Sequence, residues 1–127
     1  MKKNKIFAGL VLAIFLFAIP KALAIEEPIY FSGDYEANNP GLTGAITGVI
    51  EAGECNGYIT VKGSDWIFDL VLEKEYGNYK WFTGDLDRLG HKYDMRMIVR
   101  IDADNGRIRG GFGIPDLRFE GTFGAKI

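Results

Sequence analysis

The stretch RIDADNGRIRGGFG, Arg100–Gly113, gathers two aspartates, an asparagine and several glycines. Calcium loops are built from such residues. An EF-hand loop needs oxygen ligands at positions 1, 3 and 5, glycine at 6 and a closing carboxylate at 12. Counted from Asp102, Gly106 falls at position 5 and Gly113 at position 12, so the ligand set fails. Asn105-Gly106 reads better as a two-residue type I′ turn, for which Asn-Gly is the strongest local signal. That turn sets Asp104 opposite Arg107, Asp102 opposite Arg109, Ala103 opposite Ile108 and Val99 opposite Phe112. The aspartates then have cross-strand partners without a metal.

Other chemistry is sparse. The chain has one cysteine, Cys55, one histidine, His91, and two serines, Ser32 and Ser64. A Cys55–His91 dyad would require their two loops to meet at one end of the fold. No ligand spacing suits zinc. Asp85 and Asp87 could seed an acid–base pair, although a solvated strand end is the simpler account of them. The glycines alternate within strands and form no phosphate-binding loop. The reading is a chain without catalytic residues, metal or cofactor.

Two sets of residues suit recognition. Arg96, Arg100, Arg107, Arg109 and Arg118 fall on the polar side of the alternation in three consecutive segments. Together they could meet an anionic polymer, a lipid headgroup or an acidic protein, although cross-strand pairing with Asp102, Asp104 and Glu120 accounts for part of the pattern. Tyr76, Tyr79 and Trp81 lie in EKEYGNYKWFTGD, and exposed rings suit sugar or protein contacts. A three-residue loop Tyr76–Asn78 sets Leu72 opposite Phe82 and turns Trp81 outward. A two-residue Gly77-Asn78 turn would send Trp81 into the core.

The elements that must carry these residues are strands. In LRFEGTFGAKI, Leu117, Phe119, Gly121, Phe123, Ala125 and Ile127 share a face. Met95, Met97, Val99 and Ile101 do the same, as do Trp66, Phe68, Leu70 and Leu72. Such period-two alternation marks half-buried strands. Turn signals at Asn38, Cys55, Lys62, Tyr76, Leu89, Asp104 and Gly113 divide the chain into eight of them. Short connections make neighbours antiparallel, giving an up-and-down meander. Glycines recur between two large apolar residues on one face, at Gly33, Gly44, Gly48, Gly84, Gly110 and Gly121. Inward glycines permit sharp bending or make room for a ring from the next strand. The predicted fold is an all-β, eight-stranded antiparallel meander closed into a small barrel. In strand count and order it resembles the lipocalin and avidin group of barrels. That resemblance implies a barrel that holds one ligand or is filled by side chains, and it carries over no site residues.

The N-terminus has the layout of a secretory signal peptide: Lys2, Lys3 and Lys5, an uncharged run from Ile6 to Ile19, then Ala22-Leu23-Ala24. A signal-peptide helix over 1–24 and a single domain over 25–127 follow, with no membrane span after cleavage. The leader's charges are four lysines, so its removal takes the net charge from −2 to −6. General nucleic-acid binding is disfavoured by that sign. With a turn at Asn56-Gly57, Cys55 sits near solvent and could link two chains by a disulfide. The expected function is a secreted or envelope-held binding protein for a small molecule, glycan or protein. Its alternatives are an interaction module or inhibitor using an outer face, and an enzyme with an acid–base pair in the barrel mouth.

Overall fold

Alternation of this length leaves each strand with one apolar face to bury, and curling the sheet onto itself buries all of them at once. The computed structural model describes residues 27–38 and 41–127; the leader over 1–24 lies outside the described residues. The strands are β1 (Ile29–Ala37), β2 (Thr43–Glu51), β3 (Glu54–Val61), β4 (Ser64–Tyr76), β5 (Tyr79–Arg88), β6 (His91–Asp102), β7 (Arg107–Ile114) and β8 (Phe119–Lys126). Each pairs antiparallel with the next, and β8 pairs with β1, closing the barrel in sequence order.

The interior is filled. Phe31, Tyr35, Trp66, Phe68, Phe82, Phe112, Phe119 and Phe123 point inward with Ile46, Ile59, Leu70, Leu86, Met95, Met97, Ile108 and Ile114. Cys55 Sγ on β3 reaches within 4.0 Å of Met97 Sδ on β6, a strand that is not its neighbour. Tyr35, Phe112, Phe119 and Trp66 pack ring against ring toward one end. The Tyr35 hydroxyl donates to the Thr60 carbonyl at 2.6 Å, and burial raises its pKa.

The recurrent glycines face inward, and four of the six are covered by rings. Phe31 covers Gly48, Tyr35 covers Gly44, Phe123 covers Gly110 and Phe112 covers Gly121, each the direct partner on the neighbouring strand. Phe68 covers a further glycine, Gly57, in the same way. At Gly33 and Gly84 the neighbouring backbone itself takes the space. Glycine lets the strand coil, and the ring restores the apolar cover that the missing side chain would have supplied.

Two turns differ from the sequence expectation. The β2–β3 turn is Ala52-Gly53, with φ of +52° and +78°, and Asn56-Gly57 lies inside β3. This register sets Ile46 opposite Ile59 and Ile50 opposite Cys55, all buried. A turn at Asn56-Gly57 would have put Glu54 opposite Ile59. Burying such a side chain stabilises by about 1.5–3 kcal/mol, more than a turn preference offers. Cys55 is therefore fully buried rather than near solvent, and the proposed disulfide-linked dimer through it is corrected accordingly.

The β6–β7 connection is a four-residue loop: a 3₁₀ turn at Ala103–Asn105 followed by Gly106 at φ +63°. Asp102 faces Arg107, Arg100 faces Arg109 and Met97 faces Phe112. The pairs expected from a two-residue turn are thus displaced by two residues. Inward residues stay inward, because an even shift preserves the face. On its other side, β7 pairs with β8 so that Gly110 lies under Phe123 and Phe112 over Gly121. Asp102 still shapes the loop, accepting from Asn105 Nδ2 at 2.7 Å.

Candidate functional site

The β4–β5 hairpin decides where the aromatic residues point. Its turn is Gly77-Asn78, with Tyr76 opposite Tyr79 and Gly77 at φ +62°, the glycine-first arrangement of a type II′ turn. By itself that register would turn Trp81 inward. An extra residue, Glu73, shifts the register between Leu72 and Lys74, so Leu72 still faces Phe82. The β-bulge lets Phe82 stay buried and places Trp81 on the outer wall, half-buried. Lys74 Nζ lies 4.7 Å from the Trp81 ring, and the Tyr79 ring lies 6.1 Å away.

Reading outward across the strands, the two predicted surfaces become one. Tyr76 on β4, Tyr79 on β5, Arg100 on β6 and Arg109 on β7 form one cross-strand row, continued by Gly124 on β8. The next row is Lys74, Trp81, Ile98, Gly111 and Thr122. Beyond it run Thr83, Arg96, Gly113 and Glu120. Tyr76, Tyr79 and Ile98 are exposed at 78%, 41% and 43%. Thus Tyr76, Tyr79, Trp81, Arg96, Arg100, Arg107 and Arg109 occupy one face of the barrel. Arg118 does not. It caps the 3₁₀ turn Pro115–Leu117 in a left-handed conformation at the opposite end of β7 from Arg107, which corrects its expected place on a strand.

Two concavities mark this wall. A groove of about 540 Å³ has Gly111 and Gly113 on its floor, Arg96 and Ile98 along β6, and Glu120 and Thr122 along β8. A cleft of about 380 Å³ is lined by Arg100, Asp102, Asn105, Arg107 and Arg109. Asn105, followed by Arg100 and Arg109, holds the Asp102 carboxyl below the ordinary carboxylate range. Among the described residues the only ion pair is Lys80–Glu75, at 2.7 Å.

Gly111, Gly113, Ile98 and Lys126 were not singled out from the sequence. Their signals were present. Gly110 and Gly111 are consecutive, so one must face out, and Ile98 is an apolar residue in the polar phase of β6.

The remaining candidates stay apart. Cys55 is sealed in the interior, where burial pushes its thiol up to about 12, while His91 is exposed at the start of β6. They form no dyad. Asp87 accepts from the Gly90 backbone N–H at 2.8 Å and so stabilises the β5–β6 turn. Asp85 lies outward between Asp69 and Asp94, its direct partners on β4 and β6. No group of three metal-ligating side chains is present among the described residues. No family model and no curated protein sequence matches the chain.

Proposed function

We propose that the chain is a secreted, non-catalytic interaction module that meets its partner with the outer wall of β5–β7, and not a carrier of a small ligand in its interior. One observation carries this reading. The space a carrier would need is occupied by side chains, as the 4.0 Å approach of Cys55 to Met97 across the barrel illustrates. Exposed rings and arginines stand together on the β5–β7 wall, whereas other exposed apolar residues, Tyr30, Tyr58, Ile67 and Val71, lie on β1, β3 and β4 away from these arginines. Large rings bring contact area with few rotatable bonds, and arginines add directional hydrogen bonds, which is how interface anchors work. A lipid-facing barrel would carry an apolar outer band. Here Asp69, Asp85, Asp94, Arg96 and Arg109 stand on the outside of successive strands. Secretion rests on the leader pattern of residues 1–24.

The test is capture from the native extracellular fluid and envelope fraction by the immobilised barrel, compared with a Tyr79→Ala/Trp81→Ala variant of matched melting temperature. The expected result is a specific partner retained by the native protein and lost by the variant. Equal capture by both would overturn the reading. So would stoichiometric uptake of an apolar fluorophore by the native barrel without unfolding.

A further inference from the structure

We propose that the cleft between β6 and β7 is an oxyanion site, formed by Arg100, Arg107 and Arg109, which receives a sulfate or phosphate ester carried on a sugar. The inference rests on the outer wall being the partner-binding face and names the chemistry of that partner.

The arrangement is costly without an anion. Arg100 and Arg109 are direct cross-strand partners, and Arg107 is the direct partner of Lys126 on β8. Like charges placed directly opposite one another destabilise a sheet. None of these four cations has an ion-pair partner within 4.0 Å among the described residues. The one carboxylate in the cleft, Asp102, is the direct partner of Arg107 and feels the charge of Arg100 and Arg109. It bonds Asn105 at 2.7 Å, however, and touches none of the arginines within 4.0 Å, and a single negative charge leaves the cluster cationic. The cleft itself is lined by Arg100, Arg107, Arg109, Asp102 and Asn105, with no apolar residue among them. A tetrahedral oxyanion would accept hydrogen bonds from several guanidinium groups at once and cancel the repulsion between Arg100 and Arg109.

The neighbours of the cleft select what carries the anion. Tyr79 is the direct partner of Arg100, and Tyr76 is the direct partner of Tyr79. A ring platform adjoining a cation cluster fits a sugar ring stacked on tyrosine with its acidic substituent in the cleft. An extended anionic membrane fits less well. Asp34 lies beside Gly124 at the end of the same row, and Glu36 and Glu120 border the groove next to it. These carboxylates would face the anionic sheet.

The experiment titrates the folded protein with sodium sulfate and sodium phosphate against sodium chloride of matched ionic strength, reading melting temperature and heat of binding. The expected result is saturable stabilisation by the oxyanions only. Arg109→Ala, and independently Arg107→Ala, should weaken binding about tenfold or more. In chloride Arg109→Ala should melt no lower than the native protein, since it removes a like-charge pair. A sulfated oligosaccharide should bind more tightly than sulfate and lose that advantage in Tyr79→Ala. No saturable oxyanion effect, or one unchanged in both arginine variants, would overturn the site. Tighter binding to anionic phospholipid vesicles than to the sulfated oligosaccharide would overturn the sugar assignment. If oxyanion binding fails while capture dependent on Tyr79 and Trp81 persists, only this inference falls.

Discussion

The ring of Phe112 lies over Gly121 of the adjacent strand, so that a Cβ at position 121 would come within 2.7 Å of the ring's Cζ. Two strand positions away the exchange is returned. Phe123 covers Gly110, where a Cβ would meet the ring at 2.8 Å. Each strand supplies the ring that the other strand's glycine admits. The pairs therefore fix the relative position of β7 and β8 as well as filling the core.

Gly121→Val should destabilise the barrel by about 1–3 kcal/mol or more, because the Phe112 ring cannot stay in place. Gly124→Ala is the control. It faces outward, nothing lies within 4 Å of an added Cβ, and its φ is not left-handed. Its stability should be unchanged or raised by about 0.4–1 kcal/mol through lower unfolded-state entropy. Urea denaturation midpoints of the two variants check both signs.

Leu89 opens the β5–β6 turn at φ +51° while 76% exposed. A branched apolar side chain gains nothing there and strains the backbone by about 1–2 kcal/mol. Leu89→Asn should raise stability by about 1 kcal/mol, since Asn tolerates that conformation and Asn-Gly suits the turn. A fall in midpoint would show that Leu89 has a stabilising contact in solution.

Cys55 should resist thiol reagents in the native protein and react fully in urea, and the protein should run as a monomer without reductant. Its thiol is pushed up to about 12 from an ordinary value of 9.0. A raised acid pKa means that the unfolded chain releases the proton first. Its stabilising effect is therefore complete below about pH 9 and declines between about pH 9 and 12. The loss at about pH 10 is on the order of 1 kcal/mol from this group. Cys55→Ala should start from a lower stability at neutral pH and show a flatter decline, measured by denaturation across that range.

Trp81→Ala should lower stability far less than Phe82→Ala, its neighbour in sequence. Phe82 is 1% exposed, and its truncation should cost about 3–5 kcal/mol. Trp81 keeps one side toward solvent on the outer wall. Parallel denaturation of the two variants reads the facing that the Glu73 bulge imposes. Equal losses would mean that the ring is core.

Local alternation was enough to read eight strands, their antiparallel order and the inward facing of residues such as Phe119, Phe123 and Met97. Side chains two apart necessarily share a face, so that information is contained in a few consecutive residues. The inward glycines were legible for the same reason. Registers were not. Asn56-Gly57 and Asn105-Gly106 are the strongest local turn signals, yet neither forms the expected two-residue turn. The register of each hairpin must agree with every other if β8 is to meet β1, and rings must land on particular glycines one strand away. Those demands involve residues far apart in sequence, such as Tyr35 with Phe123 across the β1–β8 closure and Cys55 with Met97 across the barrel, and they outweigh a turn preference. The candidate site divides similarly. Tyr79, Trp81, Arg100 and Arg109 were each visible as outward-facing or potentially so, but their union in adjacent rows depends on the extra residue at Glu73 and the two-residue displacement after Asp102. Only closure of the barrel decides those two offsets, because a strand's neighbours on both sides must be satisfied simultaneously.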